Sequence, residues 1–195
     1  MAQEYEIEKK NLLTKKEFEA LREYLKLEEK DFTSQSNTYF DTGGFSLKEA
    51  GAALRIREKG SSAELTLKQK NKNIPGLLET NQNLTDKEKE DILNYTVFPQ
   101  GEVTEQLMAS LQISSGDLQA LGTLYTKRAS TIWHEGEVFL DHSQYLDTED
   151  FEVEIESASE EAVNKLMNKL LTPFSIPVRE APNKIARFFK RKYAQ

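Results

Sequence analysis

Charged residues recur at every second position along several short segments of this 195-residue chain. Residues 151–156 read Phe-Glu-Val-Glu-Ile-Glu, and residues 54–57 read Leu-Arg-Ile-Arg. Successive side chains on a β-strand point to opposite faces, so each segment predicts a strand with one apolar and one charged face. The same alternation and turn signals predict strands at residues 4–10, 36–41, 52–58, 63–70, 77–82, 124–133, 137–142 and 151–156.

Helices are predicted beside these strands. Three capping boxes indicate helix starts, namely Thr14 with Glu17, Thr85 with Glu88, and Ser157 with Glu160. Residues 103–121 look helical with an interruption at Gly116, and Pro182 predicts the start of a last short helix. Eight short strands with helices at their sides favour an antiparallel α+β architecture, either an open sheet or a barrel. Because no repeat or linker is visible, we expect a single domain over residues 1–195.

The composition argues against several classes of protein. The chain has 26 Lys and Arg residues against 33 Asp and Glu residues, a formal net charge of −7 that disfavours bulk binding to nucleic acid. No apolar run approaches the roughly 20 residues needed to cross a bilayer, and residues 1–10 do not resemble a signal peptide. The absence of cysteine excludes disulfides and thiolate metal sites. We therefore expect a cytoplasmic protein with no nucleic-acid or membrane partner.

The charges are segregated by strand. Acids dominate residues 4–10 and 151–156, whereas bases dominate residues 52–58 and 63–70. For any one strand, a solvated charged face is the ordinary interpretation. For the whole set, like charges about 7 Å apart on one face repel unless a counter-charge lies between them. The pattern favours a site for a polyvalent anion with hard cations, because carboxylates suit Mg²⁺ or Mn²⁺ and Arg and Lys suit phosphate.

Short motifs follow one another from residue 6 to about residue 190. They are Glu6-Ile7-Glu8-Lys9-Lys10, Asn37-Thr38-Tyr39-Phe40-Asp41-Thr42, Ala53-Leu54-Arg55-Ile56-Arg57, Leu65-Thr66-Leu67-Lys68, Lys127-Arg128, Leu140-Asp141, Phe151-Glu152-Val153-Glu154-Ile155-Glu156 and Asn183-Lys184. In this order they resemble the signature of the CYTH family, the triphosphate tunnel metalloenzymes. The resemblance implies an eight-stranded antiparallel β-barrel that forms a closed tunnel, with the charged faces inside and the helices packed outside.

The resemblance also implies roles for individual residues. The metal ligands would be Glu6, Glu8, Glu79, Asp141, Glu152 and Glu154. The substrate-binding cations would be Lys10, Arg55, Arg57, Lys68, Lys70, Arg128 and Lys184. The catalytic residues would be Glu152, Glu154, Lys68 and Tyr39, the last two as a pair that activates water. The sequence departs from the family pattern at Asn81, where a second carboxylate often follows the one matched by Glu79.

The function implied by the resemblance is a hydrolase that requires Mg²⁺ or Mn²⁺. Its small-molecule substrate would be inorganic triphosphate or a triphosphorylated metabolite, thiamine triphosphate included, and a homodimer is compatible with the resemblance. Two other functions stay open, an adenylate cyclase within the family and a non-catalytic sensor of polyphosphate or a nucleotide. The six carboxylates argue against the sensor, because binding an anion does not require them.

Overall fold

The fold is described from a computed structural model that covers residues 3–70 and 77–193, with side chains from Ile7 onward. The strands are β1 (Gln3–Glu6), β2 (Glu8–Leu13), β3 (Thr33–Thr42), β4 (Ala52–Lys59), β5 (Ser62–Lys70), β6 (Leu77–Leu84), β7 (Leu118–Trp133), β8 (Gly136–Tyr145) and β9 (Thr148–Ser157). The helices are α1 (Lys15–Tyr24), α2 (Ser46–Glu49), α3 (Asp86–Tyr95), α4 (Glu102–Gln106), α5 (Glu160–Leu171) and α6 (Lys184–Tyr193).

All eight predicted strand regions are strands. The first of them is interrupted at Ile7, which separates β1 from β2, so that nine strands occupy the eight regions. The hairpins β4–β5, β5–β6, β7–β8 and β8–β9 are antiparallel. The predicted α+β class with antiparallel pairing is therefore confirmed. None of the helices in the described part of the chain has the length and apolar character needed to cross a membrane.

Two of the three predicted capping boxes are confirmed, and the third is wrong. Thr14 caps α1 and Thr85 caps α3, each with its glutamate three residues later. Ser157 is instead the last residue of β9, where its hydroxyl donates to the carbonyl oxygen of Glu135 at 2.8 Å. The N-cap of α5 is Ser159, whose hydroxyl accepts a hydrogen bond from the backbone N–H of Ala162 at 3.1 Å. Strand pairing thus holds the first serine and leaves the second to cap the helix.

The helical prediction for residues 103–121 is wrong at its C-terminal end. Helix α4 continues as a π-helical turn over Leu107–Leu111, and residues from Leu118 onward belong to β7. Leu118 and Leu121 are three residues apart, as on one helix face, yet both are buried within the strand. Tertiary packing therefore overrides the local helical spacing.

The chain divides into two compact units. The first unit comprises Met1–Tyr5 and Ser36–Thr123, and the second comprises Glu6–Gln35 and Leu124–Gln195. The boundaries between them fall inside β1, β3 and β7. Each unit has its own cluster of buried apolar side chains.

In the first unit the strand order is β1-β6-β5-β4-β3. The apolar faces of β4 and β5 belong to a buried cluster that includes Leu54 and Leu65 from the strands. The helices supply Leu47 from α2, Ile92 from α3 and Val103 from α4. Because side chains alternate along a strand, this packing directs the charged residues of β4 and β5 to the opposite face.

In the second unit the strand order is β7-β8-β9-β2. Its buried cluster includes Val153 and Ile155 from β9, Leu21 from α1, and Leu166 and Met167 from α5. The acidic residues that alternate with the apolar residues of β9 consequently face away from α1 and α5.

The segment before α6 is attached to α1 and β2. The guanidinium of Arg179 donates to both carboxylate oxygens of Glu17 at 2.7 and 2.9 Å, and its backbone N–H donates to Oδ1 of Asn11 at 2.6 Å. Helix α6 begins at Lys184, two residues after the proline that predicted its start. Its first turn is capped by Asn183, whose Oδ1 accepts from the backbone N–H of Ala186 at 2.8 Å.

Candidate functional site

Three buried carboxylates lie together on β8 and β9. Asp141 and Glu152 are direct cross-strand partners, and Glu154 follows two residues later on the same face. Asp141, Glu152 and Glu154 are only 1%, 0% and 3% exposed, so this charged face of the sheet is shielded from solvent. One oxygen from each carboxylate lies within 4.8 Å of one oxygen from each of the others. We call Asp141, Glu152 and Glu154 the acidic cluster.

Two cations from different elements contact the acidic cluster. Arg128 on β7 is the cross-strand partner of Asp141 on β8. Its Nε and Nη2 donate to the two carboxylate oxygens of Asp141 at 2.7 and 2.8 Å. The same Nη2 donates to Oε2 of Glu154 at 2.9 Å. Lys184 at the start of α6 donates to Oδ2 of Asp141 at 2.7 Å and also to Oε1 of Glu152. Buried ions are stable only when they are paired and hydrogen-bonded in this way.

The pairing keeps Asp141 and Glu154 ionised. Burial raises the pKa of Asp141, but the charges of Lys184 and Arg128 outweigh this effect and lower the pKa to about 2. Burial also opposes ionisation of Glu154, whose pKa is nevertheless held well below its usual range by Lys10 and Arg128. Burial lowers the pKa of Lys184, and the neighbouring Asp141 and Glu152 charges raise it above its ordinary value. Asp141 and Glu154 are therefore ionised and Lys184 is charged at neutral pH.

A second acidic group shares Glu154 with the first. Glu8 on β2 faces Glu156 on β9, and one oxygen of each lies within 4.8 Å of an oxygen of Glu154. Nζ of Lys10 lies 3.0 Å from Oε1 of Glu8 and 3.3 Å from Oε2 of Glu154. Burial lowers the pKa of Lys10, but the charges of Glu154 and Glu8 raise it overall.

The donor atoms fit a hard divalent cation. Both acidic groups offer only carboxylate oxygens, the ligands that Mg²⁺ and Mn²⁺ prefer. The chain contains no cysteine, and neither group contains a histidine. The residues present therefore suit Mg²⁺ or Mn²⁺ better than zinc.

The first unit carries a separate set of cations. Arg55 and Arg57 lie on the same face of β4, and Nε of Arg57 donates to Oδ1 of Asn37 at 3.1 Å. Nε of Arg55 is buried and has no hydrogen-bond partner within the described residues. Lys68 on β5 faces Glu79 on β6, and the two side chains form an ion pair. This face thus offers a planar guanidinium donor to an incoming anion.

The remaining predicted residues are placed differently. Lys70 is exposed at the end of β5, and Tyr39 is buried on β3. The side chain of Glu6 lies outside the described residues. Asp41 of the Tyr-Phe-Asp-Thr motif has a structural role, because its carboxylate accepts hydrogen bonds from the backbone N–H groups of Thr42, Leu47 and Lys48.

The second unit therefore brings together a large part of the predicted site. The predicted residues that meet there are Glu8, Lys10, Arg128, Asp141, Glu152, Glu154 and Lys184. The predicted residues that lie on one face of β4, β5 and β6 in the first unit are Arg55, Arg57, Lys68 and Glu79.

Arg187 contacts the acidic cluster, and sequence reasoning missed it. Arg187 on α6 donates from Nη2 to Oε2 of Glu152 at 2.5 Å and from Nε to Oδ2 of Asp150 at 2.9 Å. Its spacing was the available signal, because residues three apart on a helix share a face and Arg187 follows Lys184 by three.

Comparison with known proteins identifies the class to which this fold and site belong. The family profile described as CYTH domain matches residues 4–189. YjbK of Bacillus subtilis (strain 168), which carries a provisional triphosphatase name, is 48% identical over 192 residues, which cover 98% of each chain. This chain belongs to the CYTH domain family.

Solved structures confirm the fold class. A crystal structure of a Bacillus halodurans protein, provisionally named an adenylate cyclase, is 44% identical and matches with a TM-score of 0.92 over 97% of this chain and 100% of that chain. The Hippeastrum protein HpAC1 is 24% identical and matches with a TM-score of 0.81 over 95% of this chain and 96% of that chain. HpAC1 is described as having a dominant triphosphatase activity, and at this identity its likeness concerns the fold.

Proposed function

We propose that this chain is a divalent-metal-dependent triphosphatase. Its substrate is inorganic triphosphate or a small triphosphorylated metabolite such as thiamine triphosphate. The observation that carries the proposal is the buried acidic cluster of Asp141, Glu152 and Glu154, in which Asp141 and Glu154 are kept ionised beside Arg128 and Lys184. A site that only bound an anion would be weakened by three buried carboxylates. The triphosphatase name of the B. subtilis relative supports the same conclusion.

The carboxylates of the second unit would hold the metal. Asp141, Glu152 and Glu154 form one candidate ligand set, and Glu8 and Glu156 join Glu154 in the other. The resemblance adds Glu6 to the second set. A bound Mg²⁺ or Mn²⁺ supplies Lewis-acid polarisation of phosphoryl oxygens and neutralises part of their charge.

The cations of the site are proposed to bind the phosphoryl oxygens. Lys184 uses two of its three N–H donors on Asp141 and Glu152, which leaves one for a ligand. Nη1 of Arg128 makes no hydrogen bond within the described residues, so this atom is also available. Because phosphoryl transfer passes through a loose transition state, positioning and charge stabilisation supply most of the rate enhancement. These donors would stabilise charge on the leaving pyrophosphate, while Glu152 and Glu154 orient the attacking water.

Cations of the first unit are also proposed to bind the substrate. Arg55 and Arg57 are proposed to bind phosphoryl oxygens, and the buried unpartnered Nε of Arg55 supports this for the first of them. Lys68, beside Glu79, and the exposed Lys70 are proposed for the same role. The pairing of Lys68 with Tyr39 to activate water remains a prediction from the resemblance.

The test is release of phosphate from inorganic triphosphate, thiamine triphosphate and ATP, each with Mg²⁺, with Mn²⁺ and with EDTA. We expect turnover that EDTA abolishes and that Glu154→Gln lowers by at least about 100-fold, because this carboxylate belongs to both acidic groups. Glu149→Gln is the matched control, since Glu149 is exposed on the same strand and contacts His142.

Each other outcome identifies a different function. Turnover that persists in EDTA, or in the Glu154→Gln variant, would contradict the proposal. Formation of cyclic AMP and pyrophosphate from ATP would indicate an adenylate cyclase instead. Tight binding of the three compounds without turnover would indicate a sensor.

A further inference from the structure

Arg187 is a buried arginine whose donors are directed at two acids of β9. It is 9% exposed on α6. Nη2 donates to Oε2 of Glu152 at 2.5 Å and to Oδ1 of Asp150 at 3.2 Å, while Nε donates to Oδ2 of Asp150 at 2.9 Å. Nη1 donates to the carbonyl oxygen of Pro182 at 2.6 Å. The guanidinium is therefore fixed on three sides by the protein itself.

Asp150 anchors this arginine. It lies two residues before Glu152, so both side chains are on the same face of β9. The hydroxyl of Tyr145 donates to Oδ2 of Asp150 at 2.8 Å. Burial and this hydrogen bond raise the pKa of Tyr145 to about 12, so the hydroxyl keeps its proton and its donor role at neutral pH.

The two oxygens of Glu152 consequently have different surroundings. Oε2 accepts from Arg187, whereas Oε1 accepts from Lys184, which also binds Asp141 of the acidic cluster. Glu152 is fully buried, and both of its carboxylate oxygens are bound by these two cations. Arg187 thus fixes the rotation of the carboxylate and keeps Oε1 on the side of Asp141.

We infer that Arg187 is a positioning residue for the proposed metal site. By holding Oε2 of Glu152, it presents Oε1 to the divalent cation. Partners that orient metal ligands from behind commonly change metal affinity by about 10–100-fold when they are removed. The inference rests on the metal-dependent function proposed above.

The experiment measures Mn²⁺ affinity by electron paramagnetic resonance of the free ion, without substrate, in wild type and in Arg187→Gln. We expect the affinity to fall by about 10–100-fold. At saturating Mn²⁺, kcat should fall while KM for inorganic triphosphate stays within about 2-fold, because the donors of Arg187 are engaged within the protein. Arg187→Lys should recover part of the affinity, since a lysine keeps the charge and loses the planar fork.

Two control variants separate positioning from helix docking. Arg191→Gln removes an exposed arginine of the same helix that donates to both oxygens of Asp147 at 2.7 and 2.5 Å, and it should leave Mn²⁺ affinity unchanged. Phe188→Leu loosens the packing of α6 and keeps the guanidinium of Arg187. If Phe188→Leu and Arg187→Gln lower Tm equally and weaken Mn²⁺ binding equally, Arg187 acts only by docking the helix and the inference is overturned.

The failure of this inference is distinguishable from the failure of the proposed function. If wild type binds no Mn²⁺, the metal-dependent function itself is contradicted. If wild type binds Mn²⁺, Glu152→Gln abolishes binding and Arg187→Gln binds as tightly as wild type, only the positioning role is wrong.

Discussion

The charged faces of the two units satisfy their buried polar atoms in different ways. In the second unit, Arg128, Lys184 and Arg187 form hydrogen bonds with the carboxylates around them. In the first unit, Nε of Arg55 and Oδ1 of Asn81 are buried without hydrogen-bond partners among the described residues. The two lie in one row across β4, β5 and β6 with Thr66 between them.

This difference separates stability from ligand binding. Removing one partner from a buried ion network is strongly destabilising, because it leaves an uncompensated buried charge. A buried donor without a partner lowers the stability of the unliganded protein. A ligand that accepts a hydrogen bond from this donor removes that cost. We therefore expect substitutions in the second unit to change stability strongly and substitutions at Arg55 to change binding first.

The largest expected effect is in the second unit. Asp141→Ala removes the acid shared by Arg128 and Lys184, and it should lower the free energy of unfolding by about 3–5 kcal/mol because two buried cations lose a partner. Denaturant unfolding followed by circular dichroism measures the change. Asp147→Ala is the control, because Asp147 is exposed and pairs with the exposed Arg191, and it should change stability far less. Equal losses in both variants would remove the contrast between buried and exposed pairs.

Metal binding should stabilise the protein through the same carboxylates. At Mn²⁺ concentrations about 100 times the dissociation constant, the free energy of unfolding should rise by about 2.7 kcal/mol, because the ion binds the folded state. Thermal unfolding with and without Mn²⁺ measures this as a rise in Tm. Glu154→Gln should lose the rise and Glu149→Gln should keep it. A rise that survives in Glu154→Gln would place the bound ion elsewhere.

The first unit should respond in binding. Arg55→Gln removes a buried Nε that has no partner in the described structure, so the free energy of unfolding should not fall. The KM for triphosphate should rise about 10-fold, which corresponds to the loss of a charged hydrogen bond of about 1.4 kcal/mol. Lys59→Gln tests whether any lost positive charge has this effect, since Lys59 is exposed on the same face of β4. An unchanged KM with a large loss of stability would reverse the comparison.

The smallest expected effect concerns the partly exposed pair of Glu17 and Arg179. The hydrogen bond from Arg179 is the main cause that lowers the pKa of Glu17 from 4.5 to about 2. Because the folded pKa is the lower one, the stabilisation is present above pH 4.5 and is lost as the pH falls towards 2. The difference in unfolding free energy between wild type and Glu17→Gln should be no more than about 1 kcal/mol at pH 6 and should shrink by pH 2.5. A difference that stays constant over this range would contradict the assignment.

The sequence allowed the strands and their faces to be predicted because alternation is a local property. Glu152 and Glu154 must share one face of a strand whatever the rest of the chain does. The register that aligns Arg128, Asp141 and Glu152 in one row is different, because it depends on where each hairpin turns. The resemblance to the family supplied these three residues as members of a site without giving their contacts.

Two failures show what local pattern could not supply. Ser157 and Ser159 are both suitable caps, and only the end of β9 decides which of them opens α5. The spacing of Arg187 from Lys184 places both on one face of α6, but it does not say which strand that face contacts. In both cases the missing information is a tertiary contact.

The lysine and arginines among the carboxylates have a consequence for how this protein folds. Lys184 already neutralises part of the charge on Asp141 and Glu152, so the chain carries its own counter-ions into the folded state. We therefore expect the chain to fold without a metal ion, and a chelator should abolish the activity without unfolding the protein. Adding the ion would reversibly restore the activity of an already folded protein, whereas small zinc domains do not fold without their metal.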